Sequence, residues 1–215
     1  MPALAIDVIS DVVCPWCFLG GEYLFGALAL VPGIQADIRW RPYQLAPDVP
    51  GEGIPMPEYM KSRFGDDATR LLEMQNQLTA RGTQIGINFD FPAIKKMPNT
   101  LDAHRLILWS AQGGPVRQAT VVRALFSAYF EQGLDIGDLD VLTATAEESG
   151  LDKNEAAAFL HSGAGVENVL AEIQAAHRLG VEGVPFFLIN GKYSVHGAQP
   201  AAALASAFRQ VMAEG

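Results

Sequence analysis

The pattern of apolar and polar positions changes texture twice along the chain. Residues Leu4 to Asp11 form a short, β-rich run that reads as a strand. Pro15 suits the first turn of a following helix, where its missing N–H costs nothing. Phe18, Leu19, Tyr23, Leu24, Leu28 and Leu30 carry that helix towards a stop near Pro32-Gly33. Gly20, Gly21 and Gly26 weaken it by up to ~1 kcal/mol each against Ala, so packing must hold it. Ile34 to Arg41 then alternates with period two, as a second strand does. A right-handed crossover between the two strands predicts that they lie parallel.

Pro42, Pro47, Pro50, Pro55 and Pro57, with Gly51 and Gly53 among them, mark a linker. From Met56 to Gly180 one helical pattern follows another and no strand stands out. The expected helices are Pro57 to Phe64, Asp66 to Arg81 (ended by Gly82), one from Asn99-Thr100 to about Gly113, Val116 to Gln132, Leu139 to Ser149, Asn154 to His161 and Val166 to Leu179. Asn99 or Thr100 can cap the third of these, and Asp152 with Glu155 resembles a capping box. Ile85 to Pro98 reads as irregular. The β texture returns at Phe186 to Ile189, where Asn190-Gly191 is a strong hairpin signal before Lys192 to Val195. A last helix spans Pro200 to Met212. One sheet assembled from both chain ends is the economical reading. It makes residues 1–45 and 181–215 a discontinuous α/β domain that carries 56–180 as an inserted all-α domain.

A net charge of -9 and a pI near 4.8 argue against nucleic acid, whose binders cluster Lys and Arg. No basic run offers a patch for a membrane surface, and no segment reaches the ~18 apolar residues of a span. The N-terminus lacks the positive region of a signal peptide, so the expected address is cytoplasmic. There, two cysteines at close spacing suggest metal binding or redox catalysis more than a structural staple.

Those cysteines, the chain's only two, sit in Cys14-Pro15-Trp16-Cys17, where the first strand gives way to the first helix. The first turn of a helix offers unpaired N–H groups and the positive end of its dipole, and both favour a thiolate. A second thiol one turn on can attack a mixed disulfide formed by the first. Zinc uses the same spacing but wants four ligands, and His104, His161, His177 and His196 supply no paired set, so no metal is expected. A buried, inert pair is the blander alternative. Val184-Pro185 is a second signal. Pro185 can simply begin a strand, or it can follow a cis peptide that turns the Val184 backbone towards the thiols.

Taken in order, five stretches resemble the DsbA family of the thioredoxin superfamily, in its FrnE-like branch. They are Ser10 to Cys17, Arg39 to Pro42, Asn99 to Leu106, Gly183 to Phe187 and His196 to Pro200. The resemblance implies a thioredoxin-like fold with a large helical insertion, nucleophilic Cys14, resolving Cys17 and cis-Pro185. The activity it implies is thiol-disulfide oxidoreduction on a disulfide- or thiol-containing protein or small molecule, with no resident cofactor. The branch is also similar to kappa-class glutathione transferases and 2-hydroxychromene-2-carboxylate isomerases. Those relatives generally carry Ser at the Cys14 position and a Ser-Asp pair at Ala198-Gln199. Both departures weaken glutathione conjugation here and leave glutathione possible as a reductant or ligand. A glutathione-dependent isomerase or transferase is therefore the alternative, and a chaperone-like module with inert thiols is a further one.

Pro15, Trp16, Val184, Pro185 and Asn99 are the expected substrate contacts. Trp16 is expected to be exposed by its place between the thiols. Asp11 reads as a solvated strand-end carboxylate, with proton transfer to the thiols as its functional alternative. His104 reads as a hydrogen-bonded structural residue, and Asn99 as a cap first. Substrate identity, oligomeric state and redox direction are not readable at this level.

Overall fold

The computed structural model describes residues 3–65 and 68–214, with side chains described from Leu4 onward except at Ala68. The first two positions of the helix expected from Asp66 lie outside the described residues.

The β1 strand (Ala3–Ser10) leads through a tight turn into α1 (Pro15–Ala29), and β2 (Gln35–Pro42) returns parallel to β1. At the other end of the chain, β5 (Phe186–Ile189) lies antiparallel to β1, and β6 (Tyr193–His196) pairs with β5. The sheet order is β2-β1-β5-β6, and α9 (Ala201–Glu214) packs beside α1. Both chain ends therefore build one sheet, as the periodicities require. Asn190 (φ 51°) and Gly191 (φ 65°) make the β5–β6 turn, whose positive φ angles suit Asn-Gly. The Asn190 side chain also accepts a hydrogen bond from the Ala5 N–H, 3.0 Å away, which fixes the turn to β1.

Leu4, Ile6 and Val8 of β1 are buried in the main core with Leu24 of α1 and Phe208 of α9. Ile9, on the opposite face, joins Tyr43, Ala176, Val181 and Phe186 in a second, smaller cluster. That second face is covered only towards the end of the strand, since Ala5 is exposed and Asp7 half-buried in ion pairs with Arg39 and Arg41.

The intervening segment runs through β3 (Ile54–Pro55), α2 (Met56–Phe64), α3 (Ala68–Thr83), β4 (Lys96–Met97), α4 (Leu101–Ser110), α5 (Pro115–Phe130), α6 (Leu139–Glu148), α7 (Lys153–His161) and α8 (Val166–Arg178). Two expectations change here. The stretch Ile85 to Pro98 is not wholly irregular, because β4 pairs antiparallel with β3 as a two-residue ladder. So short a pairing leaves no periodicity to read. The third helix also runs through Gly82 to Thr83. A Cβ at Gly82 would meet Phe89 at 2.8 Å, so the glycine serves close packing rather than termination.

The helical segment is fastened to the sheet at defined points. Gln118 of α5 accepts from the Trp40 N–H at 2.9 Å and donates to the Trp40 carbonyl at 3.1 Å, so one side chain satisfies part of the β2 edge. Phe18 of α1 stacks on Phe126 of α5, with ring centres 5.1 Å apart and planes 7° apart. Phe89 meets Phe18 edge-on at 5.9 Å. The core is thus continuous from the sheet into the helices.

Candidate active site

Cys14 occupies the position just before α1, with extended backbone angles (φ -95°, ψ 111°), and Pro15 is the first helical residue. The Cys14 N–H bonds back to the Asp11 carbonyl at 3.0 Å, which closes the turn after β1. The Cys14 carbonyl then accepts from the Cys17 and Phe18 N–H groups, so the first helical turn is built on this cysteine. Both thiols are free; Cys14 is 4% exposed and Cys17 fully buried.

The Val184-Pro185 peptide is cis. The Cys14 thiol donates to the Val184 carbonyl across 3.7 Å, although 170 positions separate them in sequence. Gly20, one turn beyond Cys17, lets the helix pass beneath this segment. A Cβ there would come within 2.8 Å of Pro185 Cγ, and one at Gly21 within 2.9 Å of the Trp40 ring. The glycines that weaken α1 as an isolated helix are the ones that let it approach its neighbours.

Burial pushes the Cys17 thiol well above its ordinary range, and the adjoining Cys14 adds to the shift. The Asp11 N–H and the Ser10 hydroxyl act in the opposite direction. The net effect favours the neutral thiol at Cys17.

Asp11 is fully buried, not solvated at a strand end. One oxygen accepts from the Leu45 N–H at 2.8 Å, and the other lies 3.2 Å from His104 Nε2. That nitrogen is also 2.9 Å from the Tyr43 carbonyl, and since a carbonyl only accepts, Nε2 carries the proton. The Asp11–His104 pair therefore ties the turn before Cys14 to α4 and to the segment after β2. The pattern Ser-Asp-x-x-Cys could not reveal this, because the partners come from three separate parts of the chain.

In front of Cys14 opens a cleft of about 380 Å³. Its floor includes Cys14, Pro15, Trp16 and Val184, and its far side is lined from α2 and α3 by Tyr59, Met60, Phe64 and Met74. Met56 and Met97 border it as well, so four of the chain's six methionines meet here. Methionine side chains are flexible and polarisable and adapt to apolar shapes. Arg63 and Glu182 supply the charge. Burial raises the Tyr59 hydroxyl above its ordinary range, with nearby Arg63 opposing the shift.

A family model for the DSBA-like thioredoxin domain matches residues 5–209. The chain belongs to this family. Among solved structures, a probable DsbA oxidoreductase from Streptomyces coelicolor superposes with a TM-score of 0.90 at 27% identity, covering 99% of this chain and 91% of that one. A 2-hydroxychromene-2-carboxylate isomerase gives 0.73 at 23% identity (98% and 97%), and the cytosolic disulfide reductase DsbM from Pseudomonas aeruginosa with GSH gives 0.66 at 17% (95% and 99%). These last two show a shared fold. The uncharacterized protein YwbO of Bacillus subtilis is 27% identical over 147 residues, which are 68% of this chain and 66% of that protein.

Within this DsbA-like frame, Cys14, Cys17, Val184 and Pro185 come together, and Pro15 and Trp16 join them at the cleft. Trp16 is half-buried, not exposed, because the Arg81 guanidinium of α3 lies 5.5 Å above its ring. Asn99 is placed elsewhere. Its amide donates to the Val49 carbonyl at 2.6 Å, while its oxygen accepts from the Leu101 N–H at 2.9 Å and faces Gln44. It therefore caps α4 from one position upstream and anchors the Pro-rich linker. Tyr59, Met60 and Arg63 went unnoticed in the sequence, where they sit in no motif. Among the described residues, no cluster of three or more His, Cys, Asp or Glu side chains is arranged to hold a metal ion. No described helix is long and apolar enough to cross a membrane.

Proposed function

We propose that the chain is a thiol-disulfide oxidoreductase that works through Cys14 and Cys17. The observation that carries this reading is the placement of two free thiols at the start of α1, with Cys14 against the Val184 carbonyl at the foot of an open cleft. Cys14 as thiolate attacks one sulfur of a substrate disulfide, forming a Cys14–substrate bond and releasing the other half as a thiolate. Cys17, once deprotonated, attacks Cys14, so the Cys14–Cys17 bond forms and the second substrate thiolate leaves. The substrate disulfide gains two electrons and the cysteine pair loses two. The reverse sequence oxidises a substrate dithiol. The direction follows from the reduction potential of the pair against its surroundings, with 30 mV worth ~1.4 kcal/mol. The Val184 carbonyl beside Cys14 at the edge of the cleft supports an extended or small substrate docking there, and Trp16 contributes an apolar surface.

Disulfide turnover with Cys14→Ser and Cys17→Ser tests the proposal. Cys14→Ser is expected to abolish turnover, and Cys17→Ser to accumulate mixed disulfides detectable by intact-mass measurement. Full turnover by Cys14→Ser overturns the reading. The apolar lining of the cleft also suits a small aromatic molecule, as a glutathione-dependent isomerase or transferase would need. That alternative predicts saturable glutathione binding and turnover that survives Cys17→Ser.

A further inference from the structure

The cleft that holds Cys14 carries sulfur of a second kind. Met56, Met60, Met74 and Met97 all line it. Leucine would fill a similar apolar volume, so the thioether sulfur is what sets this wall apart. The four are not equally reachable. Met97 is buried, and the Tyr129 hydroxyl donates to its sulfur across 3.9 Å. Met56 and Met74 are half-buried and also pack against the main core. Met60 is half-buried on α2, a helix with no buried residue, and lines the open cleft. Arg63, exposed and three positions further along the same helix, lines the cleft as well. A small oxidant that enters the cleft therefore finds Met60 the least protected of the four.

We propose that Met60 is a modification site: a hydroperoxide oxidises its thioether to the sulfoxide, and the polar wall that results turns apolar substrates away from Cys14. The inference rests on the reading of Cys14 as the thiol that meets substrate in this cleft. In the step, a lone pair of the Met60 sulfur attacks one oxygen of the hydroperoxide, and the S–O bond forms as the O–O bond breaks. The proton on the transferred oxygen moves to the leaving one, which departs as water or an alcohol. The thioether loses two electrons and the peroxide gains two. The product side chain is polar where an apolar one stood. Its oxygen is a hydrogen-bond acceptor, and Arg63 at the i+3 position is a neighbour with donors to offer. The closely packed α1 side keeps its geometry, so the loss falls on substrate binding and not on thiol-disulfide exchange.

The test uses the full chain with Cys14 and Cys17 first joined as a disulfide, which shields both from the oxidant. Hydrogen peroxide is applied and removed with catalase, and the pair is reduced again before assay. Peptide mass measurement over time is expected to find the sulfoxide at Met60 first and at Met97 last. With Met60 oxidised, KM for dithiodipyridine, an uncharged aromatic disulfide, is expected to rise about tenfold while kcat changes by less than about twofold. Met60→Leu, compared with itself before and after peroxide, is expected to hold its KM through the same exposure. Methionine sulfoxide reductases of both epimer specificities should return the oxidised wild type to its starting KM. Oxidation of Met56, Met74 or Met97 ahead of Met60 overturns the inference, and so does a KM that stays the same once Met60 is a sulfoxide. An equal rise of KM in Met60→Leu also overturns it, because the damage then lies at another residue. Each of these results leaves the proposed function standing. Untreated wild type that does not turn over dithiodipyridine overturns the function and this inference together.

Discussion

The two sides of the cleft are built differently. The α1 side is tightly packed: Cys17, Phe18, Leu19, Gly20, Gly21, Leu24 and Ala27 are all buried, and two glycines let Pro185 and Trp40 approach within contact distance. The α2 side has no buried residue in its helix, and it meets the cleft through flexible or half-exposed side chains such as Met60 and Arg63. Reactive atoms need fixed distances, and close packing gives them. A surface that receives substrate gains from yielding, and methionine on a thinly packed helix yields easily.

That contrast can be broken most sharply at Phe18. Phe18→Ala removes a buried ring stacked between α1 and α5, and a loss of about 3–5 kcal/mol is expected in urea unfolding. A loss below about 1 kcal/mol would mean that the α1 side is not rigidly packed. Gly20→Ala comes next. Its methyl would press on Pro185 Cγ, and about 1–3 kcal/mol of destabilisation together with reduced disulfide turnover is expected.

A pH series sharpens the same side. The folded pKa of Cys17 lies above the value of 9.0 expected for an unfolded thiol, because burial disfavours the anion. The unfolded chain therefore releases this proton first. Stability of the reduced protein is full below about pH 9 and falls as pH climbs from there towards the folded value, by up to about 1.4 kcal/mol per pH unit. Cys17→Ser should flatten the decline between pH 9 and pH 10, before the tyrosines contribute. Tyr59 and Tyr129, both raised mainly by burial, steepen it beyond that range. An identical slope in Cys17→Ser would refute the assignment.

The smallest effect on stability belongs to the other side. Met60→Ala is expected to cost less than about 1 kcal/mol, since its helix buries nothing fully. Its KM for an apolar aromatic disulfide should nevertheless rise by about tenfold, through lost apolar contact. An unchanged KM would remove α2 from the substrate surface.

Much of this arrangement is legible in the amino-acid sequence. Strand-helix-strand at one end and a hairpin with a helix at the other are written in period two, period 3.6 and Asn190-Gly191. The Cys-Pro-Trp-Cys stretch and Val184-Pro185 announced themselves as local, unusual combinations of residue types. Asp11 was misread for a physical reason. A carboxylate is normally exposed, and the groups that offset its burial, Leu45 N–H and His104 Nε2, come from positions 34 and 93 residues away. Trp16 was misread likewise, since Arg81 arrives over its ring from α3. The β3–β4 ladder is too short to carry a pattern.

By itself, then, the sequence determined the helices and the four strands of the main sheet, the joining of both chain ends in that sheet, and the residue types available for redox chemistry, because these follow from local periodicity and from bond-level reactivity. Only the tertiary structure decided which carbonyl meets the Cys14 thiol, that Asp11 and His104 stand buried and paired, and that four methionines converge in front of the thiol. Those relations join residues far apart in the chain, and they come into being only when packing brings the segments together.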